Sequence, residues 1–274
     1  MLNEIIRSAQ KRLESAGIEN PKSDVLFLLA HALGVKRSRL INVKNITCAQ
    51  KSKFNAYISK RAKRAPVAHI IGEWDFMGFT FKINKNVLIP RPETELITEA
   101  AVAAIKINNH NEVLDLCAGS GCIGISIAKL TSAGSTLLDI SPSALSIAKK
   151  NAAVLNAKCK FILSDGFSKI KSGAKYNLII SNPPYIIESD FAKLEPEVKK
   201  EPKIALTAPD GGLHFYKIIA DNARNFLYNN GCVIVELNSK LDIKIFNIFK
   251  KAKFKNIEFI KNYDGANIGL KTFV

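Results

Sequence analysis

Over the first 65 positions apolar residues recur at intervals of three and four, the spacing that lines one face of an α-helix. Leu2, Ile5, Ile6, Ala9 and Leu13 carry the pattern first, Pro21 to Leu33 carries it on most faces, and Gln50 to Arg64 carries it again. Gly17 and Gly34 stand where helix carboxyl ends favour glycine. Positions 66–90 change character: aromatic and β-branched residues gather around Gly72 and Gly78, and Phe79-Thr80-Phe81-Lys82-Ile83 alternates with period two, which predicts a β-hairpin. From Glu112 onward short apolar runs alternate with helical stretches. The predicted strands are Val113 to Leu116, Thr136 to Asp139, Lys160 to Leu163, Leu178 to Ser181, Cys232 to Leu237, Ile257 to Ile260 and Ile268 to Phe273. The helices between the earlier ones are Ile123 to Leu130, Pro142 to Leu155 and Gly212 to Leu227. Such alternation implies an α/β domain with a mostly parallel, doubly wound sheet, whose ligands sit at the carboxyl ends of strands where strand order reverses. The chain thus divides into a helical domain (1–65), a hairpin linker (66–90) and an α/β domain (91–274).

Composition changes this picture only in places. The apolar run around Val25 to Leu33 is interrupted by His31 and falls short of the roughly 20 residues a membrane-spanning helix needs. The amphipathic start, with Glu4 and Glu14 among its bases, does not read as a signal peptide, so a cytoplasmic protein without a membrane association is expected. Five cysteines without a Cys-x-x-Cys pair, and histidines at 31, 69, 110 and 214 without metal spacing, point to no disulfide framework and no metal. A net charge of +16 favours encounter with polyanions, and the densest patch is Lys60-Arg61-Ala62-Lys63-Arg64. An A+T-rich coding sequence accounts for abundant lysine equally well, so charge alone leaves direct nucleic-acid binding open.

Chemistry concentrates just after the predicted strands. In Val113-Leu114-Asp115-Leu116-Cys117-Ala118-Gly119-Ser120-Gly121-Cys122-Ile123-Gly124 a strand runs into a glycine turn and a helix, so backbone can approach a ligand closely. Gly-x-Gly-x-x-Gly alone is equally a dinucleotide fingerprint or a structural turn. Asp115 favours the cationic amino acid part of S-adenosyl-L-methionine over a pyrophosphate. Asp139, ending the next strand, is placed to accept both ribose hydroxyls of an adenosine, or, with Ser141, to cap the helix starting near Pro142. Ser164-Asp165-Gly166 follows the third strand and is placed to reach the adenine. After the fourth strand comes Ser181-Asn182-Pro183-Pro184-Tyr185, whose prolines cannot continue a central ladder. Asn182 and the carbonyl of Pro183 can accept the two hydrogens of a planar –NH2 group while Tyr185 offers a flat face. A delocalised nitrogen held this way in line with a methyl sulfonium needs alignment more than a general base.

Together with Leu88-Ile89-Pro90-Arg91-Pro92-Glu93-Thr94-Glu95, Ile71-Gly72, Phe76-Met77-Gly78, Glu201-Pro202-Lys203-Ile204-Ala205-Leu206 and Asp210-Gly211-Gly212-Leu213, these segments make the chain resemble the peptide chain release factor glutamine methyltransferases, the HemK or PrmC family. The likeness runs over essentially the whole chain. It implies a class I, Rossmann-like, seven-stranded methyltransferase domain with a small N-terminal helical domain and connecting β-hairpin. It also implies S-adenosyl-L-methionine as methyl donor, and as acceptor the glutamine of the Gly-Gly-Gln motif in class 1 release factors, giving N5-methylglutamine. Carried over by position, Ala118, Gly119, Ser120, Gly121 and Cys122 hold the donor, with Asp139 on its ribose, Gly166 beside its adenine and Asn182 adjoining. Asn182, Pro183, Pro184 and Tyr185 take the substrate glutamine, with Asn182, Pro183 and Tyr185 catalytic, and the helical domain binds the body of the release factor. A monomer is expected. The chain departs from the family pattern at Gly166, where an aromatic residue is common, at Leu237-Asn238, where a glycine is usual, and at Tyr263 to Ile268, which lacks an arginine. The competing readings are an adenine N6-methyltransferase acting on RNA or DNA and a nonenzymatic nucleotide-binding module.

Overall fold

The structure, a computed structural model, describes residues 2–108 and 111–274; His110 lies outside them. The chain divides into two compact units, one comprising Met1–Glu73 with Glu195–Lys200 and the other Trp74–Leu194 with Glu201–Val274.

The smaller unit is helical: α1 (Leu2–Ser15), α2 (Pro21–Leu33), α3 (Cys48–Ala62) and α4 (Val67–Ile71). Leu13, Val25, Leu28, Leu29, Phe54 and Ile58 form its core. Local chemistry marks the ends. Proline opens α2, and Gly34, left-handed at φ 69°, closes it by donating to the carbonyls of Ala30 and His31. Thr47 and Gln50 exchange backbone and side-chain bonds in a capping box at the start of α3. Arg61, in the basic patch noted above, is buried and committed: it donates to Asp24 and Glu197, both at 2.6 Å, and Glu197 also takes Arg64 at 2.8 Å.

The hairpin β1 (Glu73–Phe76) and β2 (Phe79–Lys82) follows, all but its first residue in the larger unit, and is narrower than the predicted 66–90 because α4 occupies its first part. Met77 and Gly78 both have positive φ, the signature of a two-residue type I′ turn. The left-handed Met77 is held by its N–H donating to Glu95 at 2.6 Å. Next come α5 (Pro92–Asn108), β3 (Glu112–Leu116), α6 (Cys122–Leu130), β4 (Gly134–Asp139), α7 (Pro142–Val154), β5 (Cys159–Leu163) and β6 (Tyr176–Ser181). The short β7 (Ile186–Ile187) and β8 (Thr207–Ala208) pair with each other, followed by α8 (His214–Phe226), β9 (Leu227–Glu236), α9 (Asp242–Lys251), β10 (Lys255–Lys261) and β11 (Asn267–Phe273).

Seven strands form one sheet in the order β10-β11-β9-β6-β3-β4-β5, parallel except where β11 runs against both neighbours. Strands β3, β6 and the Gly231 to Glu236 part of β9 bury nearly every residue on both faces, which is why they read as continuous apolar runs. On one face Leu114, Ile179, Val233 and Leu270 meet Tyr216, Ile219 and Phe249 of α8 and α9. On the other, the turn and start of α6 lie against Leu137, and Ile97 of α5 lies against Gly269. Strand order reverses between β3 and β6, so a crevice opens at their carboxyl ends.

Asn151 of α7 ties three elements together. Its Oδ1 accepts from Lys82 N at 2.7 Å, and its Nδ2 donates to Lys82 O at 3.1 Å and to Ser120 O at 2.9 Å. The side chain thus replaces a strand partner for β2 and fixes the turn after β3. At about 1 kcal/mol per buried bond, Asn151→Ala is expected to lower stability by about 2–4 kcal/mol. Urea unfolding of the two proteins measures this directly.

Candidate active site

The crevice is a mostly apolar cleft at the carboxyl ends of the strands, the place where an open α/β sheet binds small molecules. Gly119 after β3, Asp139 at the end of β4, Gly166 after β5 and Asn182 with Pro184 after β6 all line it, so residues spread over 65 positions converge through the sheet. Ala118, Ser120, Gly121 and Cys122 do not line the cleft; they build the turn behind it. Ala118 donates to Leu138 O and Gly121 to Ala118 O, while Ser120 and Cys122 are buried. Gly121 has a left-handed φ of 79°, the physical reason for glycine there, and a Cβ would also press on the terminal methyls of Ile125 and Leu137.

Asp139 ends β4 with its carboxylate already engaged. Oδ2 accepts from Gly119 N and Oδ1 from Ser141 N, each at 2.8 Å. The helix cap is made by Ser141 instead, whose hydroxyl accepts from Ala144 N. Burial raises the Asp139 pKa, opposed by the N–H groups of Ser141, Gly119 and Ile140. Each carboxylate oxygen keeps a free lone pair for a hydroxyl.

Asp115 is wholly buried in β3. Its Oδ2 accepts from Gly124 N at 2.9 Å and its Oδ1 has no hydrogen-bond partner. Burial pushes its pKa up to about 7. Asp115 does not line the cleft; it lies in the strand just behind the lining residues Leu116 and Cys117, and an unsatisfied buried carboxylate oxygen there favours positive charge nearby. Phe215 and Ile218 of α8 line the cleft together with Gly166, so an aromatic ring reaches this end of the site from α8 rather than from position 166. Sequence spacing assigns these two residues no role, because nothing in α8 shows which turn meets the cleft.

At the end of β6, Ser181 Oγ donates to Leu116 O at 2.6 Å, locking the ends of the two central strands. Asn182 Nδ2 donates to Thr94 Oγ1 at 3.1 Å, which leaves Asn182 Oδ1 as that side chain's accepting atom. Pro183 is buried and lies outside the cleft lining. Tyr185 also lies outside the lining; its hydroxyl donates to Glu236 Oε1 at 3.0 Å, and burial raises its pKa. Gly212, at φ 86°, passes too close to Tyr185 O to carry a side chain. Thr94 and Glu236, both 2% exposed, are the residues that motif reading did not assign. Thr94 lies within the Pro-Arg-Pro-Glu-Thr-Glu stretch; Glu236 ends an otherwise apolar strand, and that lone acid was the available signal. Arg91 donates to Glu201 Oε1 at 2.6 Å while Glu201 Oε2 accepts from Ile89 N, so Arg91 braces the loop that carries Pro202 to the cleft.

Glu236 is also pushed up to about 7 by burial, against the bonds from Thr94 and Tyr185. Both carboxyls therefore have folded pKa values above the ordinary 3.8 and 4.5. The folded chain holds more protons than the unfolded one from about pH 4 to 7, so stability is highest on the acid side of that window and falls as pH rises through 7. Ligand-free protein is expected to unfold at lower urea at pH 8 than at pH 5.5. The difference should shrink when Asp115→Asn and Glu236→Gln are combined.

Among the described residues no group of three or more His, Cys, Asp or Glu is arranged to hold a metal, and no helix is long and apolar enough to cross a membrane. Residues 4–72 match the PrmC N-terminal domain and residues 93–201 the methyltransferase small domain. The T. thermophilus 16S rRNA methyltransferase RsmC, solved with AdoMet and guanosine, shares the fold at 17% identity and TM-score 0.57, over 73% of this chain and 49% of that one. The release factor glutamine methyltransferase of Fusobacterium nucleatum is 34% identical over 269 residues, 96% of this chain and 76% of that protein. That of Clostridium acetobutylicum is 34% identical over 269 residues, 96% of this chain and 94% of its own length. With likeness of that extent running through both units, the chain belongs to the release factor glutamine methyltransferase family.

Proposed function

We propose that the protein transfers a methyl group from S-adenosyl-L-methionine to the side-chain amide of the glutamine in the Gly-Gly-Gln motif of class 1 release factors, giving N5-methylglutamine. The observation that carries this reading is Asn182: Thr94 occupies its amide nitrogen, leaving its carbonyl oxygen as an acceptor beside the cleft.

When bound, the donor supplies an electrophilic methyl on a sulfonium. The protein's part is to hold and align. Asp139 and the Gly119 turn would hold the ribose, Asp115 behind the turn would favour the ammonium through its charge, and Gly166, Phe215 and Ile218 would bound the adenine end. Asn182 Oδ1 and the carbonyl of Pro183 accept the two acceptor hydrogens, which favours a pyramidal nitrogen and compensates the positive charge it develops. The donor would supply the methyl carbon, with its sulfur retaining the electrons of the broken bond, and the surplus proton would leave the then acidic acceptor nitrogen. No matched general base is needed. We assign the helical unit, which matches the PrmC N-terminal domain, to the body of the release factor, and place the reaction in the cytoplasm, without a metal and with the enzyme a monomer.

Transfer of label from methyl-labelled S-adenosylmethionine to a purified release factor tests the reading. Label on the intact factor and none on one whose Gly-Gly-Gln glutamine is alanine is the expected result. Equal labelling of both overturns the assigned acceptor.

A further inference from the structure

We propose that Glu236 is a positioning residue, whose carboxylate sets the direction of a hydrogen-bond chain through Thr94 and so fixes which end of the Asn182 amide meets the acceptor. The inference rests on the amide-methylation reading above.

The two ends of an asparagine amide are nearly the same size, so their order depends on what their neighbours donate and accept. Thr94 has a single hydroxyl proton. Its Oγ1 lies 2.5 Å from Glu236 Oε2 and 3.1 Å from Asn182 Nδ2. An ionised carboxylate only accepts, so the Thr94 proton goes to Glu236 and Thr94 can offer Asn182 nothing but a lone pair. The atom of Asn182 that meets it must then be the –NH2, and the carbonyl oxygen is left for the acceptor. The other oxygen of Glu236 accepts from Tyr185 at 3.0 Å, so one carboxylate orders two side chains of Asn182-Pro183-Pro184-Tyr185. Its backbone is pinned as well: Tyr216 donates to Glu236 O at 2.9 Å, and Thr98 to Thr94 O at 2.8 Å.

A buried carboxylate is costly, and a glutamine has the same shape. What glutamine lacks is acceptance at both ends. If its –NH2 faces Thr94, the threonine proton turns toward Asn182, the asparagine presents its carbonyl there, and –NH2 confronts the –NH2 of the acceptor. Protonation of Glu236 has the same consequence. Its pKa lies near 7, with Glu93 raising it and Arg91 lowering it, and Tyr185, Tyr216 and Cys122 are the other titratable groups coupled to it.

The test is steady-state kinetics on a purified release factor at saturating donor, with calorimetric donor binding, for the wild type, Glu236→Gln, Thr94→Val and Thr94→Ser. Glu236→Gln and Thr94→Val are expected to lower kcat about 10²-fold, the scale for losing one oriented transition-state hydrogen bond, with donor Kd within about threefold. Thr94→Ser, which keeps the hydroxyl, restores kcat to within about threefold. Wild-type kcat rises with pH through about 7, and Glu236→Gln loses that rise. Wild-type turnover with Glu236→Gln at wild-type kcat overturns the inference, as does a serine variant as slow as the valine one. A wild type that binds donor yet leaves the factor unmodified refutes the amide reading instead. The threonine series, isosteric at Val and conservative at Ser, decides the question even if Glu236→Gln does not fold.

Discussion

Asn182→Ala is expected to lower kcat/KM for methyl transfer about 10²- to 10³-fold while leaving donor Kd within about fivefold. On the proposed reading the substitution removes the carbonyl that would accept from the acceptor nitrogen and spares the residues proposed to hold the donor. An amide nitrogen is a poor nucleophile, so the accepting carbonyl matters most as positive charge develops, and its loss appears in kcat more than in affinity. Asn182→Asp distinguishes orientation from mere acceptance. Aspartate keeps an oxygen toward the acceptor but sets a second one against Thr94, whose proton is committed to Glu236. It is therefore expected to be nearly as slow as alanine. Single-turnover rates with both variants, at donor concentrations above Kd, check the pair of outcomes.

The second large effect is expected on donor binding. Asp139→Ala removes the acceptors proposed for the ribose hydroxyls and also the anchors for Gly119 N and Ser141 N, which hold the turn and the start of α7. Hydrogen bonds to charged groups are worth about 1.5–3 kcal/mol each, so donor Kd is expected to rise about 10²-fold or more. At saturating donor, kcat should change by less than tenfold, because Asp139 does not touch the acceptor. Asp139→Asn, which retains one accepting oxygen, falls between. Calorimetric titration with S-adenosylmethionine separates the three.

Parts of this arrangement that are local in sequence were legible without the structure. The buried strands announce themselves as apolar runs because helices cover both faces of the sheet, and the hairpin is legible from the period-two alternation Phe79-Thr80-Phe81-Lys82-Ile83, whereas the left-handed Met77 of its turn is not. Gly119, Asp139, Gly166 and Asn182 could be placed near one another because each follows a strand, and a parallel sheet carries such positions to one edge. Parts that depend on tertiary register were not legible. Neither α5 nor α9 is among the helices expected from the sequence; in α5 Ile97, Ala101, Ala104 and Ile105 repeat at helical spacing, but Pro-Arg-Pro-Glu-Thr-Glu reads as a motif rather than as a first helical turn. Thr94 meets Glu236 across 142 positions, and Asn151 meets Lys82 across 69. No period in the sequence reports either contact. Tyr185 was expected to offer a ring face to the acceptor; the structure adds the anchoring of its hydroxyl on Glu236.

The most direct test of the central claim is tandem mass spectrometry after the enzyme and isotopically labelled S-adenosylmethionine are incubated with a release factor and bulk RNA in one reaction. A single labelled methyl on the side-chain nitrogen of the Gly-Gly-Gln glutamine, absent with Asn182→Ala, is the expected result. Label confined to adenine N6 in the RNA, or no label on either despite donor binding, would contradict it.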